Sequence, residues 1–264
     1  MVKLAFWKTV ADAYRFVFTD PIAVIRAGWV FFSVYLIFLF QKSMYVGPVP
    51  LYVGVTVAVA YYAAYVSWQI ALSRTILANE NSWIAGINLG RRFWRLVGAI
   101  ALSVLILTGI VGIPIIVVGV AATALGFEPH SLGKALVVVV GVIFALVLPR
   151  LYLFSPAIAT DDHKKAIRAA WRRGKHNTLR LAFGSVICWL PSWITLAVVY
   201  ETLGQIPGVA AAQLSVIAAV LYLVWAIFNF FTAAVWVVFQ ALAYRQLAPN
   251  WTPPPALMAA QIET

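Results

Sequence analysis

Charge is what this chain has least of. Asp, Glu, Lys and Arg make up 10% of its 264 residues, and only eight are acids. An ordinary soluble domain carries about 25% charged residues, so a water-soluble fold is excluded as an expectation. Acid–base catalysis needs at least two positioned titratable groups, and the long apolar segments contain almost no acids. There is no Gly-rich phosphate loop, no HExxH zinc motif and no GxSxG nucleophile elbow. The expectation is a non-catalytic protein. Cys188 is the only cysteine, which excludes an intramolecular disulfide and a cysteine-built metal site; neither a metal nor a cofactor is expected. Residues 1–14 lack the apolar core and small-residue cleavage site of a secretory signal, so the first apolar segment is expected to direct its own insertion.

What is abundant is apolar surface: hydrophobic residues are 64% of the chain. Several windows exceed the roughly 18 apolar residues of a membrane-spanning helix. With no water in the bilayer core to satisfy backbone amides, each such window should be helical. The expected fold is an all-α polytopic membrane bundle with six transmembrane helices, at 23–40, 51–73, 96–123, 135–159, 179–203 and, within the run 209–247, at 221–244. That last run would be about 58 Å long as one helix at ~1.5 Å per residue, too long for one span. Residues 209–220 are therefore expected to form a helical connector or an extension on the outer side. Residues 1–248 read as a single membrane domain, and 249–264, with Pro253 to Pro255, as a disordered cytoplasmic tail.

Placing both termini and the second and fourth loops on one side collects every Lys and Arg there except Lys42 and Lys134. By the positive-inside rule that side is the cytoplasm, and the expected location is the bacterial inner membrane.

An internal pattern accompanies the spans. Trp7, Val10, Tyr14 and Val17 share one helical face before the first span, Trp83, Ile87, Gly90 and Trp94 before the third, and Ile167, Ala170, Trp171 and Gly174 before the fifth, with Arg168 and Arg172 opposite. Basic amphipathic helices carrying Trp lie in the membrane interface, and three are expected. Their anchors would be Arg91, Arg92, Arg95, Arg168, Arg172 and Arg180, meeting anionic phospholipid at about 1 kcal/mol per charge. Nucleic acid is not an expected partner, because each basic cluster abuts a span rather than covering a soluble surface. The second and sixth spans end in WQIALSRTIL and FQALAYRQLA, and the fourth contains PRLYLFSPAI. Aligning them matches Gln69, Gln240 and Arg150, and gives three copies of one unit at 1–74, 75–159 and 160–247.

Arg150 stands out within this frame. It lies nine residues before the end of its span, roughly 13 Å along a helix, and a charge so placed faces a partner, a cavity or the headgroups. An anion or lipid-headgroup site of Arg150, Gln69 and Gln240 on the cytoplasmic half is one reading; snorkelling of Arg150 is the other. Asp161, Asp162 and His163 look like metal ligands, but they open a basic helix, where capping is the expected role.

The run RLYLFSPAIATDDHKKAIRAAWRRGKHNTLRLAFG, residues 150–184, resembles a signature of bacterial YciC-like six-span inner-membrane proteins and of the related membrane domain fused to some glycerophosphodiester phosphodiesterases. The matching positions are Arg150, Leu151, Pro156, Ala157, Asp161, Ala170, Trp171, Gly174, Asn177, Arg180 and Leu181. Lys175 and His176 separate Gly174 from Asn177, which that pattern places side by side. The resemblance implies an envelope membrane protein of undefined biochemistry, and it supplies no catalytic residues to carry over. The expected role is lipid interaction or the anchoring of a membrane protein partner; a transporter or channel for a small solute or lipid is the alternative.

Overall fold

The computed structural model describes residues 3–40, 49–78, 89–112, 117, 120, 147–161, 166–204 and 216–248, and among these there are helices and no strand. They form α1 (Phe6–Thr19), α2 (Pro21–Phe40), α3 (Leu51–Ala78), α4 (Arg91–Leu107), α5 (Phe154–Ala159), α6 (Ala166–Gly174), α7 (Thr178–Gly204) and α8 (Val216–Leu247). A π-helical turn, Thr108–Gly112, continues α4. Residues 147–152 are helical and lead into α5.

Four helices are long and apolar enough to cross a membrane: α2, α3, and the segments Thr178–Thr202 of α7 and Ala219–Leu247 of α8. They coincide with the expected first, second, fifth and sixth spans. Only parts of the third and fourth expected spans fall among the described residues, the latter as the shorter apolar stretch Val147–Ala159. The tail 249–264 and most of the 209–220 connector lie outside them. Where the connector is described, from Val216, it is continuous with α8.

Local chemistry sets the helix boundaries. Asp20 ends α1 and starts α2: its backbone N–H bonds the Phe16 carbonyl at 3.0 Å, and its carboxylate accepts the Ala23 N–H at 3.0 Å. Pro21 occupies the first helical position, where a missing N–H costs nothing. Pro191 inside α7 is different, because it deprives the Ile187 carbonyl of its intrahelical donor. The Tyr14 hydroxyl of α1 donates to that carbonyl at 3.0 Å. Burial, with a smaller contribution from nearby Cys188, pushes the Tyr14 phenol up to about 12, so it remains a donor at physiological pH.

The helices sort into centre and periphery. α3, α5 and α8 touch one another in all three pairs. The C-terminal halves of α3 and α8 and the whole of α5 are buried, around Trp68, Leu72, Phe154, Ala157, Phe239 and Tyr244. α2 packs on α3 and α8, α4 on α5 and α3, and α7 on α8. These outer helices present Trp29, Leu105, Phe183 and Trp193 outward. Two outer helices come close through glycine. A Cβ at Gly28 would lie 2.6 Å from Trp68 Nε1 and 2.7 Å from Phe230, and one at Gly184 would overlap the Phe239 ring.

Candidate functional site

The polar residues divide between the centre of the bundle and one of its ends. At the centre, Gln69 Nε2 donates to the Tyr65 hydroxyl at 2.7 Å, and Ser155 Oγ donates to Gln69 Oε1 at 3.4 Å. Gln240 is equally buried, and its Nε2 has no partner among the described residues. Thus Ser155 of α5, not Arg150, is the residue bonded to Gln69 across the helices. Phe154-Ser155 stands to α5 as Trp68-Gln69 stands to α3 and Phe239-Gln240 to α8, each an aromatic followed by a buried polar side chain. A further, partly buried chain links α7, α8 and α2: Ser192 Oγ donates to Asn229 Oδ1 at 2.6 Å, and Asn229 Nδ2 to the Tyr35 hydroxyl at 2.7 Å.

Arg150 turns away from the glutamines, toward the junction of α6 and α7. Its Nε donates to the Thr178 hydroxyl, and its Nη2 to the Lys175 carbonyl at 3.1 Å. A cation at a helix C-terminus satisfies carbonyls that have lost intrahelical partners and complements the helix dipole. The guanidinium also lies over the Trp171 ring, 5.0 Å from its centroid. Gly174 makes room for the stem, since a Cβ there would come within 3.1 Å of Arg150 Cγ. Arg150 therefore fixes both the end of α6 and the plane of Trp171.

On the other side of Trp171 is a groove of about 710 Å³ between α4, α5 and α6. α4 contributes Arg95, Gly98, Ala99, Leu102 and Ile106, spaced to share one helical face. Leu151 and Ile158 form the floor, and Ile167, Arg168 and Trp171 the opposite wall. Its volume lies in the roughly 300–1,000 Å³ range of ligand pockets. Apart from the two arginines every named wall is apolar, so charge enters the groove at its rim only.

The rim is positive. Asp161 sits with φ 53° between α5 and α6, and its carboxylate pairs with Arg92 at 2.6 Å and Arg95 at 2.8 Å. Both of its oxygens are thus bound by arginines of α4, while the backbone amides it was expected to cap belong to residues outside the described ones. Asp162 and His163 lie outside the described residues. Arg168 is exposed, and no acid among the described residues pairs with it. The remaining expected anchors are dispersed. Arg91 and Arg172 are exposed on α4 and α6, and Arg180 Nη1 donates to the Leu4 carbonyl at 2.7 Å, tying α7 to the segment before α1.

Sequence reasoning named Arg95, Arg168 and Arg150 but not the groove that joins the first two. The readable signal was Arg95 followed at three, four and seven residues by Gly98, Ala99 and Leu102, a small-residue face beneath a cation. Comparison with protein-family models, curated proteins and solved structures finds no match to this chain.

Proposed function

We propose that the chain is a non-catalytic integral protein of the bacterial inner membrane, with both termini cytoplasmic, that holds an anionic phospholipid in the groove between α4, α5 and α6. The observation that carries this reading is the pairing of an apolar groove of about 710 Å³ with Arg95 and Arg168 at its rim. Lipid tails are as apolar as the groove wall, so the tail contributes fit rather than net transfer energy. Selectivity comes from the headgroup, whose phosphate can accept hydrogen bonds from planar guanidinium groups. Arg150 supports the site indirectly by holding Trp171.

The same reading takes the arrangement of helices as three copies of a unit made of an interfacial helix, an outward span and a returning span. The mutual packing of α3, α5 and α8, with α2, α4 and α7 outside, supports it. α1 and α6, with Trp7 72% and Trp171 40% exposed, are the interfacial helices, and six spans complete the bundle.

Native mass spectrometry of gently extracted protein tests the lipid reading. Wild type should retain phosphatidylglycerol in preference to phosphatidylcholine, and Arg168→Gln should weaken retention about tenfold, the loss expected for one charge-assisted hydrogen bond. Arg150→Gln should weaken it less, because it loosens Trp171 without removing a rim charge. Equal retention by wild type and Arg168→Gln would refute the site.

A transporter for a small solute or lipid is the second reading. Buried Gln240, whose Nε2 lacks a partner among the described residues, favours a polar path through the centre. Solute flux in proteoliposomes that is lost in Gln240→Leu would establish it.

A further inference from the structure

A second groove, about 280 Å³, lies between α1 and α7 and is lined by Phe6, Trp7, Leu179, Arg180, Phe183 and Ile187. Its tryptophan, its arginine and its outward-helix face each have a counterpart in the larger groove, although the larger groove's floor of Leu151 and Ile158 and its second arginine have none in the smaller. Trp7 and Trp171 each stand on the short helix that precedes an outward helix, in the sequences Ala-Phe-Trp-Lys (5–8) and Ala-Ala-Trp-Arg (169–172). Arg180 and Arg95 each lie in the first turns of an outward helix and are followed by a buried leucine, Leu181 and Leu96. Three and seven residues further on, Phe183 and Ile187 line one groove as Gly98 and Leu102 line the other. Each arginine also reaches the segment before the neighbouring short helix: Arg95 bonds Asp161 at 2.8 Å, and Arg180 bonds the Leu4 carbonyl at 2.7 Å.

We infer that the α1–α7 groove is a second, repeat-related lipid site, which takes a single acyl chain of an anionic phospholipid with its phosphate against Arg180. This rests on the reading of the larger groove given above. The correspondence supplies the ligand class, and charge supplies the headgroup. Among the described residues Arg180 is met by a backbone carbonyl and by no carboxylate, so none of them neutralises its charge. Size supplies the single chain: Phe183 stands where the larger groove has Gly98, and the space falls from about 710 to about 280 Å³. Leu179 and Phe183, each 61% exposed, and Trp7 leave the groove open to the surrounding bilayer.

The test is a titration of the detergent-solubilised full chain with phosphatidylglycerol, counting bound lipids by native mass spectrometry against a matched titration with phosphatidylcholine. Two phosphatidylglycerol molecules should bind selectively to wild type. Arg180→Gln should weaken one step about tenfold and leave the step sensitive to Arg168→Gln untouched, while Arg180→Lys should recover most of the loss. Leu179→Glu provides an independent variant. The position is exposed in the first turn of α7, where a carboxylate suits the helix N-terminus, and that carboxylate should repel the phosphate with Arg180 still in place. Persistence of both lipids in Arg180→Gln and Leu179→Glu would overturn this inference and leave the larger groove standing. Loss of one lipid in these variants, with none lost in Arg168→Gln, would support the α1–α7 site and reject the larger one. No preference for phosphatidylglycerol in wild type would reject both.

Discussion

Single side chains hold this protein's helices at points where their backbones are incomplete. Tyr14 does so for Pro191, by bonding the Ile187 carbonyl that the proline strands. Tyr14→Phe should therefore cost about 1–3 kcal/mol, the range for an orphaned buried polar group, measured as reduced unfolding free energy in detergent. Because the folded phenol titrates near 12 and the unfolded one near 10.0, its contribution is intact below pH 10 and is lost as pH rises through about 12. The stability difference between wild type and Tyr14→Phe should shrink over that window and stay constant below it. Gly184 shows the opposite dependence, on absence of a side chain. Gly184→Ala would drive a Cβ into the Phe239 ring, with an expected cost of about 1–3 kcal/mol from overpacking, and Phe239→Leu in the same chain should restore much of it. Neither dependence could be read from the sequence. A proline within an apolar run is visible, but the tyrosine that compensates for it lies 173 residues away.

At the scale of the helix, the sequence was legible wherever hydropathy alone decides. The starts and ends of α2, α3 and α7 fall within five residues of those expected, because a bilayer imposes length and polarity together. Contacts between helices were harder to read. Aligning the second, fourth and sixth expected spans on their most conspicuous polar residue put Arg150 beside Gln69 and Gln240, yet Ser155 bonds Gln69, five residues further on. Serine carries no charge and little hydropathy signal, so a pattern search passes over it. Asp161 was missed as a counter-ion for a related reason: its arginines are on α4, 66 and 69 residues earlier, whereas capping is a local motif. Polar links between helices are the feature to test here. Asn229→Leu breaks both bonds of the Ser192–Asn229–Tyr35 chain and should destabilise the bundle by about 0.6–1.7 kcal/mol, from the average to the maximum found for an interhelical hydrogen bond in membranes, with α7 and α2 losing protection from hydrogen exchange before α3.

For the molecule as a whole, composition pointed to the class at once, since 64% hydrophobic and 10% charged residues lie far from the soluble average, and four helices are long and apolar enough to cross a membrane. The groove was not legible, because its walls come from three helices and are ordinary apolar residues until packing brings them under Arg95 and Arg168. What completes the assembly is α1, which packs against α8 as well as its neighbour α2. The Ala5 N–H donates to Gln246 Oε1 at 3.1 Å, and Gln246 Nε2 donates to the Thr9 hydroxyl at 2.8 Å, the first of these bonds spanning 241 positions. A ribosome adding about 5–20 residues per second reaches Gln246 roughly 12–50 s after it has passed Ala5. For that interval α1 can meet α2 and α7 but lacks its contacts with α8. The seating of α1 is therefore complete only once α8 has been made, although α1 precedes it by about two hundred residues, and the exposed Trp7 and Phe18 keep part of its apolar surface uncovered even then.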